Sequence, residues 1–298
     1  MIPVISICIP TLNRAAYLRE CLNSISLISE PISTVIEIIV SNNFSDDSTR
    51  RVLESYATLA EKFAGYTVIN HEERLPAYKN WLSCVHVAKA EHIWLISDDD
   101  LVNADGITSL ICSNTLEDFS LVICDSVIIN KDGRAIGSSR NRKRLEIGSS
   151  QLALFLALKY LRYKFTSVIW RKSLAMKERV FEYAFPSSGI CLDGAIMAAT
   201  SERALIENIA ISSYRVHQLN DCRSGTLDKF LIGRNIFNTF ILRSEIPVIA
   251  KVLFLFWNIT GVIVQSISPS SGLSFYQRLR ISGHIPIIIA NILYELSK

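Results

Sequence analysis

Short apolar runs that each end in small polar or acidic residues, with helix-spaced segments between them, dominate the first hundred residues. Residues 4–10, 37–41, 66–70 and 93–97 read as strands, rich in Ile and Val and buried. Between them, residues 15–28 place Leu18, Cys21, Leu22 and Ile25 on one helical face, and residues 48–63 and 76–88 are helical as well. Strands alternating with helices of this length predict an α/β fold with a doubly wound, mostly parallel sheet. Ligands of such sheets gather outside the carboxyl ends of the strands. The residues that close each run are therefore the first candidates for chemistry.

The fourth run closes on Asp98-Asp99-Asp100. Adjacent carboxylates repel one another unless they are solvated, paired or bound to a cation. Hard cations such as Mg²⁺ take one or two carboxylates together with substrate phosphates, which points to a nucleotide diphosphate. A solvated acidic turn is the plain alternative for the triplet alone. The first run closes on Pro10-Thr11-Leu12-Asn13-Arg14, with Asn13 as a helix cap, and the second on Ser41-Asn42-Asn43-Phe44-Ser45-Asp46-Asp47.

Charge is distributed unevenly. Residues 1–130 carry 8 Lys/Arg against 17 Asp/Glu, and residues 131–179 carry 13 against 3. An acidic half followed by a basic stretch suits a site where carboxylates, a cation and a polyanionic ligand meet. No basic motif interleaved with aromatics argues for nucleic acid. The seven cysteines show no metal or redox spacing and read as buried free thiols of a reducing compartment. The chain opens on a strand with no basic leader, so a cytoplasmic location is expected.

Beyond residue 120, residues 121–124 and 126–130 read as strands, Lys131-Asp132-Gly133 as a hairpin turn, 149–161 as a helix and 166–170 as an edge strand. Arg140 to Arg144 form a basic run. From residue 228 the chain turns apolar and helical. Residues 252–264 are apolar apart from Asn258, Thr260 and Gly261, shorter than the ~20 residues of a spanning helix. Helices packed on the preceding domain are one reading of this tail. A surface seated in the membrane interface is the other, favoured by Lys251, Arg278 and Arg280 beside Phe254, Phe256, Trp257, Phe275 and Tyr276. The expected division is 1–227 as a catalytic domain, split into a donor half (1–125) and an acceptor half (126–227), and 228–298 as a membrane-associating extension.

Taken jointly, Pro-Thr-x-Asn-Arg, then Ser-Asn-Asn-x-Ser-Asp-Asp, then Ser-Asp-Asp-Asp resembles family 2 glycosyltransferases of the GT-A fold. Within that family the chain looks most like bacterial O-antigen and capsule sugar transferases, including the abequosyltransferase-like branch. The resemblance covers roughly residues 3–225. It implies a nucleotide-sugar donor (UDP-, CDP-, GDP- or dTDP-linked), a Mg or Mn divalent cation at the DXD-type cluster, and inversion at the sugar's anomeric carbon. The implied acceptor is a lipid-linked (polyprenyl diphosphate) oligosaccharide at the cytoplasmic face of the inner membrane.

Residue by residue, the resemblance implies donor contacts at Pro10, Thr11, Asn13, Arg14, Asn42, Arg74, Lys79, Asn80 and Asp98. Where many relatives have aspartate, position 42 is asparagine, which leaves the base open. Metal ligation falls within Asp98, Asp99 and Asp100. Family register and a literal DXD pick different members, so the ligand within the triplet stays open. His217, in Tyr-Arg-x-His, is implied as a third ligand or a diphosphate contact. Asp193 is implied as the general base. Two other functions compete: a non-catalytic membrane-associated scaffold, and a sugar nucleotidyltransferase. The second would need a glycine-rich loop after the first strand, and residues 9–14 contain no glycine.

Overall fold

The computed structural model describes residues 2–141, 143–148, 152, 163–176 and 203–217. The expected helix at 149–161, the segment holding Asp193 and the tail from 228 lie outside the described residues or nearly so. Strands β1 (Ile5–Thr11), β2 (Ile36–Asn42), β3 (Gly65–Asn70) and β4 (His92–Leu95) run parallel in the order β3-β2-β1-β4. Every residue of β2 and β4 is buried, as expected of strands covered on both faces. Helix α1 (Ala15–Ser26) buries Leu18, Cys21, Leu22 and Ile25, the face read from its spacing.

The helix expected over residues 48–63 is two shorter ones, α2 (Thr49–Ser55) and α3 (Leu59–Lys62). The break falls at Tyr56, whose hydroxyl donates to Asn23 Oδ1 at 2.5 Å and to the Arg19 carbonyl. A contact with α1 thus overrides the local helical pattern. Helix α4 (Ala77–Val87) follows β3, and β5 (Leu101–Val102), α5 (Ala104–Cys112) and α6 (Thr115–Asp118) follow the triplet. Gly106 lets α5 approach the sheet, because a Cβ there would lie 2.0 Å from the Ala210 carbonyl oxygen.

Residues 121–130 form one uninterrupted strand, β6 (Leu121–Asn130), rather than two. Asp125 does not break it, since its carboxylate accepts from the Asn141 backbone and side chain. Residues 131–133 do turn, with Gly133 at φ +80 and Asn130 Oδ1 accepting from the Asp132 and Arg134 amides. They lead into β7 (Ala135–Ser139) and β8 (Leu145–Ile147).

Strand β9 (Val168–Arg171), preceding α7 (Lys172–Ala175), is not at the edge. It runs antiparallel between β4 and β6, with Val168, Ile169 and Trp170 fully buried. Its three consecutive apolar residues fit a strand with neighbours on both sides. Strand β10 (Ala204–Val216) lies parallel to β6 on the other side, and β5 pairs with its end. The sheet order is β3-β2-β1-β4-β9-β6-β10-β5. Of the described cysteines, Cys8, Cys21, Cys84 and Cys124 are buried and free, and Cys112 is free but exposed. No described helix is long and apolar enough to cross a membrane.

Candidate active site

Parallel register carries Thr11, Asn42 and Asn70 to one rung at the carboxyl edge of β1, β2 and β3. Asn42 Nδ2 donates to Asn70 Oδ1, and its Oδ1 accepts from the Ser45 amide. Asn13 stands at φ +54, in the left-handed region that asparagine tolerates. It does not cap α1. Its Oδ1 accepts from the Asp46 amide, while its own amide donates to Ser45 Oγ. The cap comes from Asp47, whose two oxygens accept from the Ala15 and Thr49 amides, at the first turns of α1 and α2. Burial raises the Asp47 pKa, but the bonds from Thr49 and Ala15 outweigh it and hold the carboxyl below its usual range.

The triplet follows β4 and is buried despite its three charges. Thr11 Oγ1 donates to Asp98 Oδ2 at 2.7 Å. Arg14 Nη1 reaches Asp98 Oδ1 at 3.1 Å and Asp99 Oδ2 at 2.9 Å, with its side chain 23% exposed. Just past the end of β10, His217 Nε2 lies 2.8 Å from the same Asp99 oxygen. The Arg215 amide donates to Asp100 Oδ1, leaving Asp100 Oδ2 buried without a hydrogen-bond partner among the described residues. Burial pushes Asp98 up to about 6 against the pull of Arg14, and Asp99 adds to the push. Burial, then Asp99, lifts Asp100 well above the carboxylate range. Cys21 beneath them is pushed up by burial and by all three aspartates.

This donor set suits a divalent cation. Among the described residues, no three His, Cys, Asp or Glu side chains group as a metal cage. Mg²⁺ seldom uses one, relying instead on one or two protein ligands with water and substrate phosphates. Asp99 Oδ2 and His217 Nε2, hydrogen-bonded at 2.8 Å, are an oxygen and a nitrogen donor already side by side. Asp100 Oδ2, without a hydrogen-bond partner among the described residues, is a further oxygen of the triplet.

Other expected donor contacts lie apart from the triplet. Arg74 sits on the exposed rim, 4.0 Å from Asp46. Lys79 is exposed on α4, whereas Asn80 is buried with both ends of its amide on Ser41. Pro10 holds the next rung, opposite Ser41. Asp193 lies outside the described residues. The sequence reading passed over Tyr17, Glu20 and Arg215. Tyr17 stacks on His217 with ring centroids 5.0 Å apart and planes at 18°. Tyr17 and Glu20 follow Arg14 at helical intervals of three, a signal that α1 offers one polar stripe to the site.

An α/β sheet with this order, gathering hydroxyl, guanidinium, carboxylates and imidazole at its carboxyl edge, is of the GT-A class. The chain belongs to glycosyl transferase family 2, whose sequence pattern matches residues 6–181. Over 109 residues it is 32% identical to the abequosyltransferase RfbV of Salmonella typhimurium, covering 36% of this chain and 31% of that protein. Over 124 residues it is 29% identical to the putative glycosyltransferase EpsH of Bacillus subtilis, covering 41% and 33%. The matches thus span only 31% and 33% of the curated relatives' lengths. Among solved structures, S. aureus TarS 1-349 in complex with UDP-GlcNAc aligns with a TM-score of 0.71 at 16% identity, over 94% of this chain and 80% of that one. The mannosyltransferase PcManGT from Pyrobaculum calidifontis, in complex with GDP-Man and Mn²⁺, aligns at 0.54 and 12% identity, over 99% and 86%. At these identities the likeness speaks for the fold.

Proposed function

We propose that the chain transfers a sugar from a nucleotide-sugar donor to a hydroxyl of a lipid-linked oligosaccharide in bacterial surface-polysaccharide synthesis. The observation that carries the reading is the convergence of Thr11, Arg14, Asp98, Asp99 and His217 at one sheet edge. Three segments of the chain meet there: the turn that ends β1, the turn after β4 and the residue that follows β10. Asp99 and His217 would hold a Mg²⁺ or Mn²⁺, with the buried carboxyl groups of Asp98 and Asp100 behind them. When bound, the cation supplies charge neutralisation for the leaving diphosphate.

Thr11 and Arg14 fix the orientation of Asp98 at the edge where the nucleoside would lie. Asn42 offers the base an amide in place of a carboxylate, compatible with a uridine, cytidine, guanosine or thymidine donor. In the transfer, the acceptor oxygen bonds to the anomeric carbon as the bond to the donor diphosphate breaks, inverting that carbon. Asp193 takes the acceptor's proton. The basic stretch at 131–179 would face the acceptor's diphosphate or the anionic bilayer. Residues 228–298 would keep the enzyme peripheral on the cytoplasmic membrane face.

A thermal-shift panel of UDP, CDP, GDP and dTDP, each with and without Mn²⁺, tests the donor site. Stabilisation by one nucleotide only with metal is expected and names the base. Absence of metal-dependent stabilisation by all four removes the reading and leaves the scaffold alternative. Asp193→Asn is expected to abolish transfer while metal-dependent nucleotide binding persists. Equal loss of both would reassign Asp193. Deleting residues 240–298 is expected to release the protein from membranes with donor binding intact; an insoluble product would mean that the tail is core.

A further inference from the structure

Arg215 is wholly buried, which is unusual for a guanidinium and costly unless its N–H groups are well paired. Its Nε donates to the Asp99 carbonyl at 2.7 Å and its Nη1 to the Lys131 carbonyl at 2.9 Å. Its Nη2 reaches Glu20 Oε2 at 2.5 Å, and its backbone amide binds Asp100 Oδ1 at 2.7 Å. The guanidinium carbon also sits 5.1 Å from the centroid of the Tyr17 ring. That ring stacks on His217, two residues further along and just past the end of the strand.

One side chain therefore joins α1, the turn that carries the triplet, the β6–β7 turn and β10. Two routes run from it to the pair that faces the donor diphosphate. The first passes through the Asp99 backbone and the Asp100 carboxylate, and it sets where the Asp99 side chain leaves the turn. The second passes through Tyr17 to the plane of the His217 ring. Arg215 meets Asp99 at its backbone carbonyl, so it acts on that residue by fixing the turn that carries it. Partners that orient metal ligands commonly govern affinity as strongly as the ligands do.

We propose that Arg215 is a positioning residue for the donor site, holding Asp99 and His217 at the spacing that a cation and a diphosphate require, with Glu20 and Tyr17 as its two anchors. The inference rests on the donor-site reading given above. It adds a dependence of cation affinity on Glu20, whose side chain is 51% exposed.

Isothermal titration of the full chain with Mn²⁺, alone and with each nucleoside diphosphate, tests it alongside thermal midpoints. Glu20→Gln, which keeps an oxygen to accept from the Arg215 guanidinium, is expected to weaken Mn²⁺ binding about 10-fold and to lower the thermal midpoint less than Arg215→Lys does. Arg215→Lys, which keeps the charge and loses the fork, is expected to weaken it further. Tyr17→Leu is expected to weaken binding, and Tyr17→Phe, which keeps the ring, to bind more tightly than Tyr17→Leu. If Glu20→Gln and Tyr17→Leu both bind Mn²⁺ as the wild type does, the inference is overturned, even where Arg215→Lys fails to fold. Wild-type protein that takes up no Mn²⁺ with any nucleotide overturns the donor-site reading and this inference with it.

Discussion

The sheet buries carboxylates at both of its edges, and they are held in opposite ways. At the amino edge, Glu37 Oε1 accepts from Ser6 Oγ at 2.5 Å and from the backbone amides of Lys89 and Ala90. At the carboxyl edge, the triplet is held mainly by side chains: Thr11, Arg14 and His217, with one oxygen of Asp100 left over. Backbone amides cannot leave without unfolding the chain that carries them. Arginine and imidazole side chains can rotate or exchange partners. A buried carboxylate paired to backbone is therefore a rivet, and one paired to side chains is a socket.

The contrast fails most visibly if Asp99→Asn behaves like a core mutation. Its expected effect is loss of metal-dependent nucleotide binding by about 100-fold or more, with an unchanged thermal midpoint, read by titration and thermal shift. Glu37→Ala should do the reverse. It strands two amides and a hydroxyl in the interior, which costs about 3 kcal/mol and lowers the midpoint by several degrees. Nucleotide affinity of the folded protein should stay within a factor of about two. A weakened donor site in Glu37→Ala would show that the two edges are coupled.

Asp47 lies between these cases, because it joins two helix starts at an exposed position. Asp47→Ala should cost about 1 kcal/mol of stability from the lost caps, measured by denaturant unfolding. Its folded-state pKa is depressed, so its contribution is present above the ordinary value of 3.8 and lost as pH falls through the lower folded value. The difference between wild type and variant should therefore shrink towards pH 3. The smallest effect belongs to His92 at the amino edge, whose pKa burial holds below 6.5. Its contribution is present above pH 6.5 and declines as pH falls through the folded value. His92→Gln should flatten the stability profile between pH 7 and pH 5.

What the sequence disclosed follows from where local signals coincide with tertiary ones. β1 to β4 were legible because each is an apolar run ended by polar residues, and a parallel sheet aligns those ends on one edge. The triplet, Thr11 and Arg14 were legible for the same reason. Strand β10 was not, because Glu207 and Asn208 interrupt its pattern. They sit where its register with β6 shifts, with Glu207 paired to Arg144 at 3.0 Å. The central place of β9 was hidden too, since a four-residue apolar strand looks alike at an edge or within a sheet. Arg215 stands in the sequence only as one member of Tyr-Arg-x-His; the closure of β10 against the turn after β4 makes it a hub.

The antiparallel β9 also bears on how the protein is made. Until residues 168–171 leave the ribosome, β4 has a neighbour on one side only, and Trp94 and Ile93 have no strand to pair with at 169 and 170. Strands β1 to β4 are complete long before that point, yet their open flank waits for a late arrival. A chain interrupted at residue 125 would present that flank to other chains, so aggregation, rather than a minimal nucleotide-binding fragment, is its expected fate.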